Sequence, residues 1–281
     1  LSANVSYTYA DSKVIIDGVG DQPGSAWKAL VSQRGTNNKE LGYASYVMPH
    51  RIVANVSYAK DYAKYFGSQI SLSYYGGPRG RANIDYVSNV FGDGAYNYSL
   101  IDIPTYKDLY GDKGWGTGNW TFKDQTDKEG NITYSAAEQC EDFWKYIQSN
   151  DYLKSHTGSV NERNAVVSPW VHTFDLKFNQ NFYFYTGAKH KKHTVQLGVD
   201  VENFANLLSP YWGNVYSINA GDGYGNAIPV NLTNAKAVYT TGAKPVFQYQ
   251  KNGSDRLTDL YSVSNGFSST WQIIFNLRYI F

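Results

Sequence analysis

The sequence predicts an all-β chain: the C-terminal part of an antiparallel transmembrane β-barrel with long extracellular loops, one of them containing a short helix. Three observations predict it. Several stretches alternate apolar and polar side chains over about the 9–11 residues that a tilted strand needs to cross a bilayer. The 281 residues hold 26 Tyr, 13 Phe and 7 Trp but only 17% charged residues, where about 25% is usual. The connections between the alternating stretches switch regularly between short and long, as the turns and loops of a bacterial barrel must.

Composition excludes other classes. Hydrophobic residues make up 42% and the mean hydropathy is −0.47. No apolar run approaches the ~20 residues of a spanning helix. The net charge of +1 gives no electrostatic argument for nucleic acid as a partner. A single cysteine, Cys140, excludes a disulfide framework and a cysteine-ligated metal cluster. The 26 glycines and the many Ser and Asn residues would suit a disordered chain, but the aromatics argue against it. The chain opens on Leu1 with no secretion signal and enters a strand pattern at once, so it reads as a fragment or processed piece.

The strands follow in order. In residues 1–11, Leu1, Ala3, Val5, Tyr7 and Tyr9 oppose Ser2, Asn4, Ser6 and Thr8. In 50–60, Ile52, Ala54, Val56 and Tyr58 oppose Arg51, Val53, Asn55 and Ser57. In 68–76, Ile70, Leu72 and Tyr74 oppose Gln69, Ser71 and Ser73. In 170–184, Phe174, Leu176 and Phe178 oppose Thr173, Asp175, Lys177 and Asn179. If that register runs unbroken to Phe182 and Phe184, Gln180 falls on the apolar face, so a bulge at 179–181 or an interfacial position is expected. In 193–204, Val195, Leu197, Val199 and Val201 oppose Thr194, Gln196, Gly198, Asp200 and Glu202. The last stretch, 269–281, carries Trp271, Ile273, Phe275, Leu277, Tyr279 and Phe281 on one face and Gln272, Ile274, Asn276, Arg278 and Ile280 on the other. In a soluble sandwich this would be an aggregation-prone edge; in a membrane barrel the apolar face meets lipid and the polar face meets the lumen.

Residues 61–68 and 186–192 are short turns, whereas 12–49, 77–169 and 208–268 are long and polar. The last strand therefore ends at the periplasmic face. Tyr58, Tyr62, Tyr65, Phe66, Phe182, Phe184, Tyr279 and Phe281 gather at that boundary as an aromatic girdle. Six strands are too few to close in lipid, so residues 1–11 and 269–281 should each keep a free edge within this chain. Two more strand-like pieces, 212–218 and 244–250, are read as a hairpin above the membrane.

Several motifs resemble the TonB-dependent outer-membrane receptors. They are Pro49-His50-Arg51, Asp61-Tyr62-Ala63-Lys64-Tyr65-Phe66, Gly92-Asp93-Gly94 with Ile101-Asp102-Ile103-Pro104, and Glu162-Arg163-Asn164 before Pro169-Trp170-Val171. The run from Gln196 to Leu208, followed by Trp212-Gly213, is the most specific and is similar to the penultimate strand of the Oar-like group, which carries a carboxypeptidase-regulatory-like domain. The resemblance implies a barrel of about 22 strands with a plugged lumen, of which this chain is the C-terminal third. The plug and the N-terminal domain would lie outside it. It also implies an outer-membrane location, contact with TonB through that missing part, recognition by the barrel-assembly machinery and a surface lipoprotein as a further partner.

No catalytic constellation stands out, and the chain is read as a non-enzyme. Asp93, Asp102 and His172 could be set beside a barrel protease, but no spacing singles them out, and no serine nucleophile motif occurs. His190 and His193 flank Lys191 and Lys192 in what reads as a solvated basic turn. Gly92-Asp93-Gly94, near Asn89, Asn97 and Asp102, could offer oxygens to Ca²⁺ but lacks the Asp-x-Asp spacing and closing Glu of an EF-hand; a plain turn is the preferred reading, and otherwise no cofactor is expected. Ser135-Ala136-Ala137-Glu138 is a capping box that starts a helix over about 136–149, whose Cys140, Phe143, Trp144 and Ile147 share one face and pack it onto its own loop. Asp175, Lys177, Asp200, Glu202 and Arg278 face the lumen as wall residues. Leu277, Tyr279 and Phe281 form a terminal stripe read as the assembly signal. No residue can be assigned to a ligand. The expected function is nutrient uptake through a TonB-dependent barrel; the alternative is a surface adhesin or assembly scaffold on the same barrel without transport.

Overall fold

A computed structural model describes residues 1–17, 20–87, 89–96, 99–112, 118–188, 191–223 and 225–281. Strands hold 43% of the residues and helices 16%, so the chain is mostly β. No described helix is long and apolar enough to cross a membrane.

The six expected strands form one antiparallel meander: β1 (Ser2–Tyr9), β2 (His50–Tyr62), β3 (Phe66–Gly77), β4 (Val171–Thr186), β5 (Lys191–Glu202) and β6 (Gln272–Ile280). Each pairs with its neighbour in chain order, and β1 and β6 each have one partner in the sheet, so the two outermost edges do not close on each other. The register between β3 and β4 is continuous from Val171–Gly77 to Phe182–Phe66. It is equally continuous between β4 and β5. No bulge therefore occurs at 179–181. Gln180 stays on the apolar face, where its Oε1 accepts from Ser68 Oγ at 2.7 Å and Tyr62 Oη at 3.1 Å. Local hydrogen bonding satisfies the amide beside the Phe66–Phe182 row.

This sheet is a single layer. The large residues of one face, among them Phe275 at 79% exposure and Leu277 at 75%, pack against no second layer. A sheet ordinarily buries one face against another element. The buried core lies instead in the long segments between the strands.

Those segments fold together into a canopy over one end of the sheet. Its centre is a five-stranded mixed sheet in the order Val166–Val167, Arg81–Tyr86, Asn226–Leu232, Val246–Tyr249 and Thr121–Phe122. Helix Ala136–Gln148 starts at the Ser135 capping box as expected and buries Cys140, Phe143 and Ile147 against that sheet. Trp120 stacks on Phe247 at 4.1 Å between ring centroids, and Phe143 and Tyr249 extend the aromatic core. Gln139, fully buried, bridges helix and sheet by donating to Lys123 O and Tyr134 O and accepting from Tyr249 N.

Two expectations fail here. Residues 212–218 and 244–250 do not form a hairpin with each other: Tyr216–Ile218 pairs with Tyr261–Val263, and Val246–Tyr249 joins the five-stranded sheet. The loops also contain more than one helix, with short ones at Pro23–Lys28, Tyr106–Tyr110, Asp151–Ser155, Phe204–Leu208 and Ala235–Thr241. The reason is common to both. The canopy strands run for only two to seven residues and pair across long separations, partly in parallel. Local alternation carries no such information.

Candidate functional site

The sheet presents two chemically distinct faces. On the outward face, apolar side chains form a band between two aromatic belts. At the canopy end, His50 stacks near Tyr7 and Trp170, and Trp170 near His172. Tyr7 Oη lies 2.9 Å from His50 Nδ1 and Tyr74 Oη 2.8 Å from His172 Nδ1. At the turn end, Phe66 meets Phe182 edge-on, and Phe184, His193, Tyr279 and Phe281 form a continuous stack. His193 is therefore a strand residue bonded to Tyr279 and Thr186, not part of a solvated turn; His190 lies outside the described residues. His50, His172 and His193 each have an aromatic neighbour and a hydroxyl partner on this face.

The spacing of the belts follows from the register. Tyr74–Phe174 and Phe66–Phe182 are opposed pairs on the same two strands; of the three rows between them on this face, Leu72–Leu176 and Ile70–Phe178 are apolar and Ser68–Gln180 is polar. At about 3.4 Å per residue, these pairs stand roughly 27 Å apart along the strands, and His172 and Phe184 roughly 40 Å.

The inward face is a polar lattice. Asn55 Nδ2 donates to Ser73 Oγ at 2.8 Å, Gln69 Nε2 and Ser71 Oγ both reach Ser57 Oγ, and Gln196 Nε2 donates to Asn181 Oδ1. Tyr183 Oη donates to Asp61 Oδ1 at 2.7 Å. Asp175, Lys177, Asp200, Glu202 and Arg278 occupy this face. Lys177 Nζ and Asp200 Oδ2 form an ion pair at 2.9 Å, to which Asn276 Nδ2 adds a bond at 3.0 Å. Asp175 Oδ1 accepts from Asn203 N at 2.8 Å. Asp175 and Glu202 share a cleft of about 230 Å³ with Arg79, Asn203 and Gln272 under the canopy. Arg278 stands apart from these four, opposite Gln196 toward the far end of β6. Leu277, Tyr279 and Phe281 are all exposed on the outward face.

Above the wall, the canopy encloses a pocket of about 310 Å³ lined by Asp17, Arg81, Asn83, Arg163, Asn164 and Asn226, with residues 29–31 as its apolar side. Asn83 Nδ2 donates to Asn226 Oδ1 at 2.9 Å, and Asn164 Nδ2 to Asp17 Oδ2 at 2.7 Å. Asn164 adopts a left-handed conformation with φ 54, which Asn tolerates better than other non-glycine residues. Arg81 donates to the Val47 and Asn164 carbonyls, and Arg163 to those of Val14 and Ile15. Burial lowers the pKa of both guanidiniums; against it, Tyr43, Asp11 and Glu162 act to raise that of Arg81, and Asp17 and Glu40 that of Arg163. Its guanidiniums, amides and the Asp17 carboxylate can hydrogen-bond a polar ligand. Sequence reasoning marked Arg163 and Asn164 through their motif but missed Arg81, Asn83 and Asn226. Only long-range pairing brings these together.

The remaining sequence candidates resolve separately. Asp93 accepts from Thr36 N and Oγ1, Asn89 Nδ2 and Ala95 N. Its burial would raise the pKa, but these bonds outweigh that and lower it. Protein donors thus fill the carboxylate that Ca²⁺ would need; Asn97 lies outside the described residues, and among the described residues no group of three or more His, Cys, Asp or Glu could hold a metal. Asp102 takes a bond from Tyr86 Oη while His172 points to Tyr74 on the outward face, so Asp93, Asp102 and His172 form no constellation. Compared with protein-family models, curated proteins and solved structures, the chain matches none of them.

Proposed function

We propose that this chain is part of the wall of a transmembrane β-barrel in a bacterial outer membrane, and that the barrel is a TonB-dependent receptor that takes up a nutrient. One observation carries the membrane reading: an apolar band bounded by two aromatic belts covers one face of a single-layer sheet, and a hydrogen-bonded polar lattice covers the other. With strands tilted by about 40°, the band between the Tyr74–Phe174 and Phe66–Phe182 pairs would be roughly 20 Å high, near the ~25 Å of apolar surface on outer-membrane barrels. In water such a sheet would leave its large side chains exposed on one side; in lipid it needs no second layer. The unpaired outer edges of β1 and β6 call for further strands to complete the barrel.

The receptor reading rests on the resemblance of the motifs and on the canopy, which places a polar pocket over the inward face. A folded canopy with a core of its own suits ligand capture at a barrel mouth. The strand pairing at Leu277, Tyr279 and Phe281 would be read by the assembly machinery. The test is cysteine labelling of intact cells and isolated outer membranes. Asn276→Cys should react with a water-soluble maleimide once the lumen is accessible, whereas Leu277→Cys should react only with a lipid-soluble reagent. Equal reaction of both with the water-soluble reagent would refute the membrane wall. Uptake that persists without TonB would refute energised transport, and no uptake with or without TonB would leave the adhesin or scaffold alternative.

A further inference from the structure

Residues 203–221 contain no Asp, Glu, Lys, Arg or His. In a chain with 17% charged residues, a run of that length would ordinarily hold roughly three. The run begins where β5 ends. Asn203 turns the chain with φ 50, and helix Phe204–Leu208 follows. Asn203 Nδ2 then donates to Gly213 O and Asn206 Nδ2 to Trp212 O, both at 2.9 Å, which closes residues 209–213 into a compact turn. A side chain at Gly213 would collide with Asn203 Oδ1, so the close approach needs glycine.

This turn comes down on the outward face of the sheet. Tyr211, Trp212 and Asn214 stand beside Trp170, His172 and Phe174 of the upper belt and enclose a notch of about 400 Å³. The turn does not bury its own large residues: Tyr211 is 86% exposed, Leu208 63% and Trp212 56%. An uncharged segment that leaves Leu, Tyr and Trp open at the height of an aromatic belt has the composition of a membrane interface.

We propose that residues 203–216 form an interfacial anchor in the outer leaflet, and that the notch holds an acyl chain of a membrane lipid. The inference rests on the membrane reading above. An acyl chain fits better than a partner protein because the notch continues the lipid-facing surface without a break. No ionised side chain of Asp, Glu, Lys or Arg lines it, and its volume is in the range of small-molecule sites. The anchor would fix the height of the wall in the leaflet and tie the canopy to it.

The experiment uses the full-length protein in phosphatidylcholine vesicles, with and without bromine on one acyl chain. Trp212 and Trp271 emission is isolated by difference against Trp212→Phe and Trp271→Phe. Trp271 continues the outward face of β6 and reports on the wall. Brominated lipid should quench both contributions. Ala205→Phe, which fills the notch, should restore most of the Trp212 signal and leave Trp271 quenched. Trp271 quenched with Trp212 unaffected would overturn the anchor while the membrane wall stands. Trp212 quenching indifferent to Ala205→Phe would overturn the acyl chain in the notch. Neither quenched would overturn the membrane reading itself.

Discussion

Phe275 and Asn276 are adjacent on β6 and point to opposite faces, so an arginine at each position separates the two environments. Phe275 lies midway between Trp271 and Tyr279, opposite Val199, with its ring 79% exposed. At about 3.4 Å per residue and a tilt near 40°, it is roughly 10 Å from either belt, which is the middle of the band. An arginine there should cost about 2–4 kcal/mol in a bilayer. Asn276 bonds to Asp200 Oδ2 at 3.0 Å, and Asp200 Oδ1 is buried without a partner. Asn276→Arg can replace that bond with an ion pair, so its effect should stay within about 1 kcal/mol. A sheet standing in water predicts the reverse order, because the Phe275 ring loses no burial when it becomes a charge. The assay is reversible denaturant unfolding of the full-length protein in lipid vesicles, followed by tryptophan fluorescence. A Phe275→Arg protein as stable as the parent, or more so, would refute the assignment of the outward face to lipid.

Two further predictions follow from other parts of the molecule. Phe281 is 77% exposed and contacts only Tyr279 and Lys191 among the described rings and cations, so Phe281→Asp should barely change the unfolding midpoint of folded protein yet lower the heat-modifiable form in outer membranes several-fold; unchanged insertion would remove its role as an assembly signal. Asp85 is fully buried in the canopy with neither oxygen hydrogen-bonded, and burial, helped by Asp222, raises its pKa well above the usual range. The proton must be kept on folding, so stability is complete below the unfolded pKa near 4 and falls by about 1.4 kcal/mol per pH unit as pH rises toward the folded value. Near-UV circular dichroism melts should show this slope in the parent and lose it in Asp85→Asn. The same slope in both proteins would clear Asp85 of it.

The sequence by itself determined the faces of the six-stranded sheet. A period of two is a local property, and from Leu1 to Tyr9 or from Trp271 to Phe281 it assigns each side chain to a face before any partner is known. The short turns then oblige β2 to pair with β3 and β4 with β5; the pairings of β1 with β2, β3 with β4 and β5 with β6 close across the long segments. The capping box at Ser135 is equally local, and the helix begins there. Only tertiary structure decided the rest. The unbroken register at Gln180 depends on Ser68 and Tyr62 from two other strands, which satisfy an amide that alternation alone would expel. The canopy pocket joins Arg81, Asn83, Arg163 and Asn226 from segments far apart in the chain. The hydrogen bonds that join them, such as Asn83 to Asn226, form only once the parallel pairing of Arg81–Tyr86 with Asn226–Leu232 is in place. Side-chain period is written in each strand, whereas the cost of closing long loops and the contacts that offset it exist only in the folded chain.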